Sequence, residues 1–192
     1  MKISIIYSSQ TEHTHQLAKA IYAGCAKSGE LSIQLIRLSD EDFSGSRWNN
    51  ESVLADLDSA DAIIFGSPTF MGSVSSMLKA FMEASVSRYI PERWNGKIAA
   101  GFTVSGAVAG DKFNTLSTIT TFAMQHGMIW VGLGCNPFNN DLGVNGAGHY
   151  YGATGQAGLE DDPAKAPTAA ELMSGEILGQ RVADYVVKLS AK

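Results

Sequence analysis

Charged side chains are scarce in this 192-residue sequence: they make up 17% of it, against about 25% in typical soluble proteins. Lysine and arginine total 14 against 19 acidic residues, a net charge of −5, and they form no cluster. A nucleic-acid partner needs such a cluster to displace phosphate counterions, so none is expected. No apolar run approaches the roughly 20 residues that span a bilayer, so no membrane span is expected either. The opening run, Ile3 to Tyr7, is too short for a signal-peptide core and lacks a small-residue cleavage site. Cysteine is nearly absent. Cys25 and Cys135 stand far apart, as fits two small buried hydrophobes in a reducing cytoplasm rather than a disulfide framework. The four histidines show no metal-ligand spacing and neither cysteine has an adjacent base, so neither a metal site nor a side-chain nucleophile is expected. Both the dinucleotide G-x-G-x-x-G and the phosphate loop G-x-x-x-x-G-K-[ST] are missing.

What is present is an alternation of short apolar runs with helical patterns. Ile3 to Tyr7 is compact, β-branched and followed at once by a polar loop, as suits a buried parallel strand. From Thr14, Leu17, Ala18, Ile21, Tyr22 and Cys25 fall on one helical face, and Gly29 offers a stop. Further strands are expected at Ser32 to Leu38, Ala62 to Gly66, Lys97 to Val104 and Met128 to Val131. A helix behind Ser73 as N-cap carries Val74, Met77, Leu78, Phe81 and Met82. Another, from about Phe113, buries Leu116, Thr120 and Ala123. Residues 39–60 show only a weak helix near Val53 to Leu57, and residues 133–167 are glycine-rich with almost no periodicity, an ordered excursion. The last helix opens on a capping box, Thr168 with Glu171, and Leu172, Gly175, Leu178, Val182, Tyr185, Val186 and Leu189 line one face. Five strands alternating with helices predict one α/β domain over residues 1–192, a doubly wound parallel sheet with helices on both faces. In such sheets ligands lie at the carboxyl ends of the strands.

Three loops fall there. Ser8 to Thr14 offers hydroxyls and free helix N-terminal amides for an anion, although Ser9, Thr11 and Thr14 serve equally well as helix caps. Without a lysine, this loop suits a phosphate monoester held by hydrogen bonds. Gly66 to Ser73 places Phe70 and Met71 between a stiffening Pro68 and Gly72; a flat apolar ring would stack there, or Phe70 folds under the loop. Val104 to Asp111 is built of small residues that let the main chain approach a ligand.

With these motifs the sequence resembles the flavodoxin-like NAD(P)H:quinone oxidoreductases of the WrbA (tryptophan-repressor-binding protein) type, nearly end to end. The resemblance is carried by Ile5 to Ser9 with His13, by Asp61 to Thr69 with Gly72, by Ser105-Gly106, by His126-Gly127-Met128, by Tyr151 to Thr154 and by the final helix from Gly175 to Leu189. It implies strand order 2-1-3-4-5 and non-covalently bound FMN. It implies the phosphate on Ser9, Thr11, His13 and Thr14, and the isoalloxazine against Pro68, Thr69, Phe70, Met71 and Gly72. Ser105, Gly106, Ala107, Val108 and Ala109 would wrap the other edge. His126 matches a position that contacts the cofactor, and Tyr89 one that covers the nicotinamide and quinone pocket. Read without the resemblance, His126 is a helix-end histidine and Tyr89 a partly buried helix-end tyrosine. Family members are commonly tetramers whose sites are completed by neighbouring subunits, so a homo-oligomer, dimer or tetramer, is expected. The chain departs from the pattern at four places: Glu12 for a glycine, Thr11 for an aromatic residue, Phe70 for an arginine, and Ala107-Val108-Ala109-Gly110 for a glycine run.

The implied function is an FMN-dependent oxidoreductase passing two electrons from NADH or NADPH to a small-molecule quinone, the flavin carrying the chemistry. Two alternatives stand beside it: a one-electron carrier that docks a protein partner, and a protein of this fold whose FMN binding is weakened by Glu12.

Overall fold

The computed structural model describes residues 1–190. Its elements are β1 (Lys2–Tyr7), α1 (His13–Cys25), β2 (Ser32–Arg37), β3 (Phe43–Ser44), β4 (Arg47–Trp48), α2 (Glu51–Asp58), β5 (Ala62–Phe70), β6 (Ser73–Val74), α3 (Ser76–Ala84), α4 (Val86–Tyr89), β7 (Ile98–Ser105), α5 (Lys112–Gln125), β8 (Ile129–Trp130), β9 (Ala153–Gln156) and α6 (Ala169–Ser190). The main sheet runs β2-β1-β5-β7-β8 and its long strands are parallel. This is the 2-1-3-4-5 order of the flavodoxin-like fold.

Strand alternation sends side chains to two cores. Ile3, Ile5, Tyr7, Ile64 and Phe102 meet α1 and α6 on one face, while Ile6, Ile63, Phe65, Phe81, Trp94 and Phe122 fill the other. Each fully buried large apolar side chain contributes about 1.5–3 kcal/mol. Close approach of α1 to α6 needs glycine: a Cβ on Gly179 would lie 2.0 Å from Ile21 O, and one on Gly24 2.0 Å from Glu176 O. The capping box of α6 forms, with Thr168 N donating to Glu171 at 2.8 Å. Tyr185 and Leu189, expected on the buried face, are 37% and 49% exposed in an open groove beside Ile98 and Ile129, and Tyr22 of α1 is 40% exposed.

The fifth strand is split. β8 pairs only with the start of β7, Ile98 and Ala99, and β9 pairs with its end, Phe102 to Ser105. The glycine-rich excursion therefore returns to the sheet, and its Ala153 is fully buried. Periodicity missed this strand because ATGQ carries no large apolar residue. β5 also runs past the expected Gly66 as far as Phe70, with Pro68 beside Val104 in register. Proline is tolerated because β1 ends opposite Gly66, leaving that side of β5 without a ladder partner. Ser73 does not cap the following helix, since it pairs with Phe70 in a hairpin. Ser75 does, accepting from Leu78 N at 3.2 Å.

Candidate functional site

The carboxyl ends of β1, β5 and β7 bring the three loops together. Ser8 N donates to Gly66 O, and Ser8 Oγ lies 2.6 Å from Ser75 Oγ, so the first and second loops are bonded. Asn114 Nδ2 holds Gly72 O at 2.6 Å, which ties the second loop to the helix that leaves the third. The excursion closes the ring: His13 Nε2 lies 3.0 Å from Asp161 O, and Ala157 N donates to Ser105 O at 3.0 Å.

In the first loop, Ser9 Oγ accepts from His15 N at 3.2 Å, so the capping reading of Ser9 is realised. Thr11 Oγ1 contacts His13 Nδ1 at 3.0 Å, and His13 and Thr14 are buried. No acceptor among the described residues takes the backbone N–H of residues 10–14. That is a run of orphan donors at the positive end of α1, suited to an anion rich in oxygen. Glu12 takes the left-handed conformation (φ 65°) that glycine adopts freely, and its carboxylate is held by Arg37 Nη2 at 2.6 Å. Arg37 also holds Ser9 O at 2.6 Å, so this ion pair braces the loop. A cleft of about 560 Å³ opens beside it, lined by Ser9, Gln10, Arg37, Ser39, Asp40 and Met77 among others.

The second segment is a hairpin with Met71 and Gly72 as its two-residue turn, both at positive φ (48° and 81°), as a turn of primed type requires. Met71 is fully exposed at the tip and Phe70 half-buried. Thr69 is committed to the interior, its Oγ1 lying 2.8 Å from the hydroxyls of both Thr103 and Thr115. In the third loop, Gly106 to Ala109 are exposed while Ser105 is buried and bonds Ala107 O at 2.9 Å.

His126 and Tyr89 do not join these loops. Gly127 O bonds Gly96 N, and Ile129 pairs with Ile98, so His126 sits at the amino-terminal edge of the sheet. The length of β7, about 20 Å, separates it from the three loops. The cause is α5, which carries the chain from the carboxyl edge back to the amino edge before His126 is reached. There Tyr89 meets His126 edge to face at 5.8 Å, in a slot of about 430 Å³ with Met82, Val86, Phe122 and Gln125. Ser85 Oγ donates to Met82 O and so accepts from His126 Nε2, which fixes the Nε2–H tautomer. Burial pushes the imidazole down to about 4, so it is neutral near pH 7.

Sequence reasoning passed over Lys112, which is 1% exposed although a helix-start lysine ordinarily reaches solvent. The available signal was a cation placed against the helix dipole directly after a loop of small residues. Among the described residues no group of His, Cys, Asp and Glu gathers to hold a metal ion, and no helix is long and apolar enough to cross a membrane.

A family model described as NADPH-dependent FMN reductase matches residues 1–141. Flavodoxin FldP of Pseudomonas aeruginosa is 33% identical over 195 residues, covering 99% of each chain. An NAD(P)H dehydrogenase (quinone) of Chromohalobacter salexigens is 28% identical over 203 residues, covering 98% of each. Among solved structures, a flavodoxin, WrbA-like protein from Agrobacterium tumefaciens superposes with a TM-score of 0.76 at 31% identity, covering 97% of this chain and 98% of that one.

Proposed function

The chain belongs to the NADPH-dependent FMN reductase family, and from that premise we propose that it is an NAD(P)H:quinone oxidoreductase with FMN as its bound cofactor. The observation that carries the reading is the run of unpartnered amides at residues 10–14 facing a second and a third loop at the same sheet edge. Those donors fit a phosphate monoester, and Ser9, Thr11, His13 and Thr14 would hold it. Pro68, Thr69, Phe70, Met71 and Gly72 would meet one edge of the ring system, with Met71 supplying an exposed apolar cover. Ser105, Gly106, Ala107, Val108 and Ala109 would meet the other, through main-chain N–H groups. Bound there, FMN would supply the two-electron chemistry between NADH or NADPH and the acceptor; the part of the three loops is to bind and orient it and to exclude water.

Tyr89 and His126 act on a neighbouring subunit's site in this reading, since their own lies about 20 Å away. Exposed Val86, Tyr89 and Ile90 beside the slot support a subunit contact there, as do exposed Phe138, Tyr150 and Tyr151 on the excursion. The assembly is then a dimer or tetramer, and the free thiols Cys25 and Cys135 fit a cytoplasmic location. Neutral His126, its Nε2–H committed to Ser85 Oγ, contributes an aromatic wall rather than an acid. A strictly monomeric chain in sedimentation would contradict this placement.

The flavodoxin relative from Pseudomonas supports a second reading, a one-electron carrier for a protein partner. Steady oxidation of NAD(P)H with benzoquinone by the purified chain separates the two. Multiple turnovers support the oxidoreductase, and absence of nicotinamide turnover by a flavin-loaded chain supports the carrier.

A further inference from the structure

A buried ammonium stands behind the third loop. Lys112 opens α5, and its Nζ donates to Ala107 O and Val108 O at 2.7 Å each. The neighbouring carbonyls are also engaged: Gly106 O accepts from Gln156 Nε2 at 3.3 Å and Ala109 O from Lys112 N at 3.1 Å. In a trans peptide the N–H points opposite to the C=O. The N–H of Val108 shares a plane with Ala107 O, and that of Ala109 with Val108 O. Both amides therefore point away from Lys112, and no acceptor among the described residues takes either. A charge this buried is costly, and a cation at a helix start opposes the dipole. Burial lowers the affinity of Lys112 for its proton, while the Glu171 carboxylate and the two carbonyls favour the charged form. No carboxylate lies within ion-pair distance of it among the described residues; Glu171 is spent on Thr168.

We propose that Lys112 is a positioning residue for the flavin: it turns the Val108 and Ala109 N–H groups outward as a two-donor hole with a positive charge behind it, so that reduced, anionic FMN is held more tightly than oxidised FMN. The proposal rests on the reading that the third loop lies along the flavin. Preorganised donors and a desolvated charge act most strongly where negative charge develops, and oxidised FMN carries none on its ring. A lysine that merely packed the loop would support both redox states alike.

The test is the affinity of the full-length apo chain for oxidised and for reduced FMN in mildly alkaline buffer, in Lys112→Met and Lys112→Gln variants. Lys112→Met is expected to lose at least about tenfold more affinity for reduced than for oxidised FMN, which lowers the two-electron potential by about 30 mV. Lys112→Gln keeps donors for the two carbonyls without the charge. It is expected to retain oxidised-FMN affinity while still losing at least about threefold in the reduced form. Equal weakening of both redox states, or none, overturns the proposal, and if Lys112→Met does not fold then Lys112→Gln decides alone. Backbone amide NMR of the wild type separates the two layers of the argument. If added FMN leaves the Val108 and Ala109 signals unmoved, the third-loop reading falls and the proposal with it. If they move but the potential of the variants does not, only the role of Lys112 is lost.

Discussion

Replacing Glu12 tests how the first loop handles charge. The residue carries three opposing contributions. Its left-handed backbone costs about 1–2 kcal/mol relative to a glycine. Its ion pair with Arg37, both partners about 40% exposed, returns only about 0.2–1 kcal/mol. A carboxylate next to the first turn of α1 adds about 0.3–1 kcal/mol through the helix dipole. Glu12→Gly should therefore fold with a stability within about 1 kcal/mol of wild type. Binding is where the change shows. Removing one negative charge at a separation on the order of 8 Å from a doubly charged phosphate is worth about 1 kcal/mol in solvent-like surroundings, roughly a fivefold gain. Screening at physiological salt, where the Debye length is about 8 Å, reduces that to twofold or less. The assay is a flavin-fluorescence titration of the apo chain at low and at physiological ionic strength. Glu12→Gln separates charge from backbone, because it keeps the strained conformation and loses only the charge. Both variants should bind FMN more tightly at low salt, and both gains should shrink as salt is added. Weaker binding by Glu12→Gln at low salt would refute the placement of the phosphate on this loop.

Other outcomes follow from packing and burial. Gly179→Ala puts a methyl group 2.0 Å from Ile21 O, and that backbone cannot turn aside; after the helix-propensity gain of about 1 kcal/mol the net loss should be about 2 kcal/mol, seen as a fall in Tm of about 5 °C. Gly175→Ala meets Leu17 Cδ1 at 2.8 Å, the end of a flexible side chain, and should stay within about 1 kcal/mol of wild type by the same melt. Burial holds His126 at about 4 against an ordinary 6.5, so the unfolded chain binds the extra proton between those values. Its stabilising contribution is full above pH 6.5 and lost as pH falls towards 4, about 2 kcal/mol being gone at pH 5. Urea unfolding of His126→Asn should lack that part of the acid loss, and an unchanged pH dependence would contradict the burial argument. Tyr89→Ala should raise KM for benzoquinone while leaving FMN affinity within about twofold, and a large loss of FMN binding would place Tyr89 elsewhere.

The sheet was readable because its central strands are buried on both faces and so appear as unbroken apolar runs, as in Ala62 to Phe65. The same logic hid β9, where Gly155 lies beneath Pro167 and leaves no room for the side chains that mark a strand. The three loops were located by topology alone, since each follows a parallel strand. Local chemistry inside them was less legible. Thr69 looks like a ligand in sequence, yet tertiary contacts spend its hydroxyl on Thr103 and Thr115. Glu12 looks like a repulsive charge until Arg37, 25 residues later, is seen to hold it. His126 shows the wider limit: its motif resembles a cofactor-contacting position, while the path of α5 sets the residue at the sheet edge opposite the three loops.

The central claim is flavin chemistry in the isolated protein. An absorption spectrum of the purified chain supplemented with FMN, followed by anaerobic addition of NADH and of NADPH, tests it most directly. The expected result is a perturbed flavin band that bleaches with at least one of the two donors. A chain that leaves the FMN spectrum unaltered, or a bound flavin that neither nicotinamide reduces, would contradict it.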